Sequence, residues 1–121
     1  MAAGSVVDLA TALSTFTEPW QPRTVAVMNN FDVRVVKTLG EFTRHSHPET
    51  DELFLVVSGH LTIKLDAGDV TLGAGQLFVV PRGVPHQPVS SDGAEVVLIE
   101  PSVTVNTGDT PSTFTAARRT V

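Results

Sequence analysis

Four side chains of this 121-residue chain have the types and spacing to hold a metal ion: His45, His47, Glu52 and His86. His45 and His47 are two residues apart. On a strand, positions i and i+2 share a face, so both imidazoles point the same way. Glu52 follows a tight loop through Pro48 and Asp51, and an antiparallel hairpin sets its carboxylate beside His47. His86 lies far off, just after Pro81-Arg82-Gly83-Val84-Pro85, and only a folded barrel could bring it to the other three. Three neutral imidazoles and one carboxylate suit one divalent transition metal, Fe, Mn, Ni, Cu, Co or Zn. Calcium and magnesium prefer all-oxygen shells. Around an octahedral ion, four protein ligands leave two positions for water, dioxygen or a chelating substrate. The residual charge of about +1 favours anionic or enolisable ligands.

The elements that must position these residues read as β. From Arg23 onward, short runs of Val, Ile, Thr, Leu and Phe are broken by Gly, Pro, Asn and Asp. The pattern predicts strands over 24–28, 32–39, 41–47, 52–58, 60–65, 76–80, 86–89 and 95–100, with a short one over 103–105. The segments between them, such as Asp66-Ala67-Gly68-Asp69 and Ser91-Asp92-Gly93, carry turn chemistry. Many short strands at such spacing make a sandwich or barrel. Before them, Ser5 and Asp8 resemble a capping box, and Val6, Leu9, Ala10, Leu13 and Phe16 recur at helical spacing. Prolines 19 and 22 end that helix. The chain thus divides into an N-terminal arm (1–22), a barrel (23–106) and a C-terminal tail (107–121) rich in Thr, Ser and Pro, expected to be extended or loosely ordered.

Composition bounds the function. At 41% hydrophobic residues the chain can bury one ordinary core. A net charge of −5 with no basic run argues against a nucleic-acid surface. No apolar stretch reaches the ~20 residues of a membrane helix, and no secretory pattern opens the chain, so the cytoplasm is the expected compartment. With no cysteine there is no thiolate ligand, cysteine nucleophile or disulfide. There is no Gly-x-Ser-x-Gly elbow, phosphate loop or dinucleotide fingerprint.

Two stretches resemble the motifs of the cupin superfamily. One runs Gly40-Glu41-Phe42-Thr43-Arg44-His45-Ser46-His47, then Glu52 and Leu53 to Gly59; the other runs Gly75-Gln76-Leu77-Phe78-Val79-Val80-Pro81 to His86. The resemblance implies an all-β fold, the cupin double-stranded β-helix or jelly-roll barrel, with a short N-terminal helix. It implies the ligand set His45, His47, Glu52 and His86. It covers most of the chain and is similar to that of small one-barrel members, including those described as mannose-6-phosphate-isomerase-like. Gly40 stands one residue nearer His45 than is usual, and Ser90 replaces a common Asn. Asp51 competes with Glu52 as ligand. Glu52 is preferred for its family spacing to Gly59 and because it shares strand parity with Phe54 and Val56.

Parity with His45 turns Glu41 and Thr43 inward, Thr43 as a group behind the ligands, and Arg44 outward. His60 reads as a surface residue. Arg34, Arg44, Lys64 and Arg82 are candidate anion binders or plain solvent-facing strand residues, and Trp20, Met28, Phe54 and Phe78 are candidate pocket walls or plain core. Fold leaves function open among a metal-dependent enzyme on a small organic substrate, such as a dioxygenase or isomerase, a non-catalytic sensor of a small molecule or metal, and a barrel with a vestigial site. The complete ligand set ranks the vestigial site last, and the enzyme is the favoured reading. A homodimer is expected, because the apolar N-terminal arm and open sheet edges want cover.

Overall fold

The computed structural model describes residues 4–121. A short helix, α1 (Leu9–Leu13), precedes seven strands: β1 (Arg23–Met28), β2 (Phe31–Glu41), β3 (Glu52–Gly59), β4 (Leu61–Leu65), β5 (Val70–Leu72), β6 (Leu77–Val80) and β7 (His86–Pro101). All pairings are antiparallel, in the order β1-β2-β7-β3-β6, with β4 joining β7 to β5. β7 is the organising strand. Its first residues pair with β4, and its later ones lie between β2 and β3. One strand thus belongs to both walls of a jelly-roll barrel.

Alternation sets what faces inward. Even-numbered residues of β2, β3 and β7 fill the barrel: Val36, Phe54, Val56, Val96 and Leu98 form one apolar core with Leu61 and Ile63 of β4. A second cluster lies outside the barrel, where Ala12, Leu13 and Phe16 of the arm cover Val25, Val35 and Val97. Most of the apolar surface that suggested a dimer therefore folds onto its own barrel, although Val6 and Val7 remain exposed.

The helix starts three residues later than the capping box implied. Asp8 is itself the cap, accepting a hydrogen bond from the Thr11 amide at 3.0 Å. The stretch 41–47 is not a strand: β2 ends at Glu41, and the chain beyond it is irregular, held to β7 by bonds at Phe42 and by the His45–His86 bridge. Residues 103–105 form no strand either, and β5 escaped the sequence pattern. Ser91-Asp92-Gly93 does not turn. It lies inside β7, where Gly93 at φ +87° lets the strand bend while continuing.

Residues after Asn106 are not a loose tail. Asp109 accepts from the amide and hydroxyl of Ser46, at 2.8 and 3.0 Å. Thr43 and Ser112 share a hydroxyl hydrogen bond of 2.6 Å. Asn106 donates to the carbonyls of Trp20 and Phe114 and accepts from the Ala116 amide. Thr24 bridges Thr120, so the segment ends alongside β1. It forms a strap across one end of the barrel.

Candidate metal centre

The two histidine stretches meet through their backbones. The His45 amide donates to the His86 carbonyl at 3.0 Å, and the His86 amide returns the bond at 2.8 Å. A further bond, from the Gly83 amide to the His47 carbonyl, draws the Pro81–Pro85 loop alongside. Glu52 opens β3 with its side chain turned inward, in step with Phe54 and Val56, as parity required. All four residues are buried, and their ligand atoms lie within 4.8 Å of one another.

Spacing within the cluster suits a single ion. His45 Nε2 is 3.2 Å from His47 Nε2, and Glu52 Oε1 is 3.2 Å from His47 Nε2 and 3.4 Å from His86 Nε2. Two ligand atoms at right angles, each about 2.1 Å from one ion, stand about 3 Å apart. The tautomers follow from the backbone. Nδ1 of His45 lies 2.7 Å from the Thr43 carbonyl, and Nδ1 of His86 lies 2.9 Å from that of Val84. A carbonyl only accepts, so each Nδ1 carries the proton and each Nε2 presents a lone pair. His86 Nε2 and Glu52 Oε1 have no hydrogen-bond partner although both are buried. The lone pairs of His45, His86 and Glu52 thus converge, an arrangement that a cation satisfies.

Electrostatics favour the same state. Burial pushes the His45 imidazolium down to about 4, overcoming the opposing pull of the Thr43 carbonyl, so the ring is neutral near pH 7. Burial alone would raise Glu52, but Glu100 beside it, and after it the adjoining His47 and His86 rings, hold it well below the usual carboxylate range. Glu100 moves the other way, raised by burial and then by the Glu52 charge, so that it keeps a proton it can donate to Glu52.

Glu100 is the functional residue that sequence reading missed. β3 and β7 pair Leu53 with Ile99, which puts Glu52 and Glu100 side by side on the inner face. Behind Glu100, Arg34 donates to its carboxyl at 2.8 Å, to Asp32 at 3.2 Å and to the carbonyls of Ser102 and Thr104. Arg118, from the strap, closes the row on Asp32 at 2.8 Å. Arg34 is therefore buried and fully engaged, neither solvent-facing nor free for a substrate. The signal was present as charges at inward parity, Asp32 and Arg34 in β2 and Glu100 in β7.

Other assignments divide. Asp51 accepts from the Arg82 amide at 2.8 Å and braces the loop, and His60 is exposed, as expected of both. Glu41 faces solvent and Phe42 takes the inward place, because β2 ends at Glu41 and no strand parity carries from it to His45. Thr43 serves through its carbonyl on His45, while its hydroxyl holds the strap. Arg44 is exposed and paired with Asp66. Trp20 and Phe54 line a cavity of about 30 Å³ beside His45 and Glu52. Met28 is 60% exposed, and Phe78 packs against the inner core. Trp20 holds a left-handed backbone, φ +63°, which is costly for a bulky residue. Bonds from its amide to the Lys37 carbonyl and from its indole to the Leu39 carbonyl keep it there, stacked 4.9 Å from Phe42.

The barrel, with a three-histidine, one-glutamate cluster inside it, is the arrangement that the two motifs describe. The chain belongs to the cupin domain family, which it matches over residues 31–106. It is 32% identical to YdbB of Bacillus subtilis, a protein of uncharacterised function, over 63% of this chain and 77% of that one. A cupin-2 domain protein from Shewanella frigidimarina is 38% identical, with a TM-score of 0.78 over 79% of this chain and 94% of that one. A 3-hydroxyanthranilate 3,4-dioxygenase from Yarrowia lipolytica is 38% identical over 43% of this chain, which spans only 33% of that enzyme.

Proposed function

We propose that the protein binds one divalent transition metal through His45, His47, Glu52 and His86 and acts as a metal-dependent enzyme on a small organic substrate, a dioxygenase or an isomerase. The convergence of unpartnered Nε2 and Oε1 lone pairs carries this reading. Similarity to part of a 3,4-dioxygenase supports the oxidative branch. When bound, the ion would supply Lewis acidity or a site for dioxygen beside a chelated substrate. The Thr43 and Val84 carbonyls hold two imidazoles in the ligating tautomer, and Glu100 holds the carboxyl of Glu52 in place. Protein purified without a nickel column should carry close to one metal per chain. His47→Ala and Glu52→Ala should lose it, while His60→Ala and Asp51→Ala keep it. Loss only in Asp51→Ala would reassign the carboxylate.

One observation favours a second reading, a non-catalytic sensor. The four proposed ligands are buried beneath the strap, and Glu100 beside them is held by Arg34. An oxygen-uptake and substrate-depletion screen on metal-loaded protein separates the two. A homodimer belongs to either reading. Leu77 and Val79 of edge strand β6 are 57% and 43% exposed on the outer face, next to half-buried Leu53 and Leu55. Light scattering should read two chains, and Leu77→Glu with Val79→Glu should read one.

A further inference from the structure

The cavity beside the ligands has walls of one kind. Trp20, Phe42, Phe54 and Leu98 enclose it, with His45 and Glu52 at one end. Its few polar groups are already engaged. The Trp20 indole donates to the Leu39 carbonyl at 2.8 Å. The Thr38 hydroxyl points to the Ala94 carbonyl at 3.4 Å. Asn106 has its amide on two carbonyls and its oxygen on the Ala116 amide. Arg34, the buried cation of this end of the barrel, has all its bonds on Asp32, Glu100 and two carbonyls.

No uncommitted donor therefore faces a ligand in this space. A phosphate placed here would lose its water and gain no cation other than the metal. A sugar would bury hydroxyls without partners, an arrangement that costs affinity for each one. An apolar body loses nothing by entering. The void of about 30 Å³ holds only a water or two, so a ligand must also displace the Asn106 side of the strap, which limits its size.

We infer that the site takes a small apolar molecule with a single metal-chelating end, its body held among Trp20, Phe42, Phe54 and Leu98, and that it rejects sugar phosphates and other polyanions. The inference rests on the metal reading above. Two probes with the same chelating head test it: 4-methylcatechol and 4-sulfocatechol. Each is titrated without oxygen into cobalt-loaded protein and followed by the visible absorption of the metal. The protein should bind 4-methylcatechol at least about tenfold more tightly than the sulfonate, a preference that free cobalt lacks, and mannose 6-phosphate should leave the spectrum unchanged. Leu98→Phe, which fills the cavity, should keep cobalt and lose the preference. A protein that takes up no cobalt overturns the metal reading and this inference together. Cobalt-loaded wild-type protein that binds both catechols equally, or that binds mannose 6-phosphate as tightly, overturns this inference alone. Since that comparison needs no variant, a failure of Leu98→Phe to fold leaves it decisive.

Discussion

Asp32 shows what a buried charge does in this barrel. Its side chain is fully buried, yet it accepts from Thr24, Arg34, Ser102 and Arg118. Burial would raise its pKa, but those four partners outweigh burial and hold it well below the usual carboxylate range. A carboxylate whose folded pKa is depressed lends stability that is complete above its unfolded value and is lost as pH falls below that value towards the folded one. Denaturant midpoints should therefore drop below about pH 4 in the wild type and drop less in Asp32→Asn. Asp32→Ala, which strands Arg34 beside Glu100, should cost about 3–5 kcal/mol at pH 7. Glu100 joins that buried row to the proposed ligand Glu52. Glu100→Ala should weaken zinc affinity about 10–100-fold, and Glu100→Gln, which still donates to Glu52, should recover most of it. Competition with a chelating dye reads both.

At the level of elements, glycine marks where strands crowd. Gly59 ends β3 at φ +78°, and a Cβ there would strike the Gly93 carbonyl oxygen and Ala94 of β7. Gly59→Ala should destabilise the protein by roughly 2–4 kcal/mol in urea unfolding. Gly108 secures the strap instead: at φ +55° it lies against the carbonyl of Ser46, which stands between His45 and His47 in sequence. Gly108→Ala should lift the strap and leave the barrel folded, so that a chelator strips the metal faster while the far-ultraviolet signal is unchanged. These contacts also mark how far the sequence could be read. The inward row Glu52, Phe54 and Val56 was legible because β parity is local, and the clustering of His45, His47, Glu52 and His86 because their motifs are. β7 was not, since Ser91-Asp92-Gly93 has turn chemistry and only the partners on either side keep it extended. The stretch after Asn106 read as an extended or loosely ordered tail, because nothing nearby in sequence could give the destination of Asp109 on Ser46. The Asp32–Arg34–Glu100 row was hidden for the same reason, its members joining only through the register of β2 and β7.

For the molecule as a whole, no helix among the described residues is long and apolar enough to cross a membrane. Nearly all of its order comes from pairing distant segments. β7 has to find β2, β3 and β4, none of which it meets through a short hairpin. Such long-range pairing folds slowly, because loop closure precedes the contacts that reward it. This has a consequence for the timing of metal capture. His45, His47 and Glu52 sit within one short stretch, so an unfolded chain can already grip an ion weakly. His86 arrives only when β7 docks, since its place opposite His45 depends on the same backbone bonds. An ion that gains its last ligand after the rate-limiting step cannot hasten that step; it can only hold the finished structure shut. Stopped-flow refolding should run at the same rate with and without zinc, whereas unfolding in urea should slow about tenfold or more when zinc is present. A refolding rate that rose with zinc would mean that β7 docks early, with the ion guiding it.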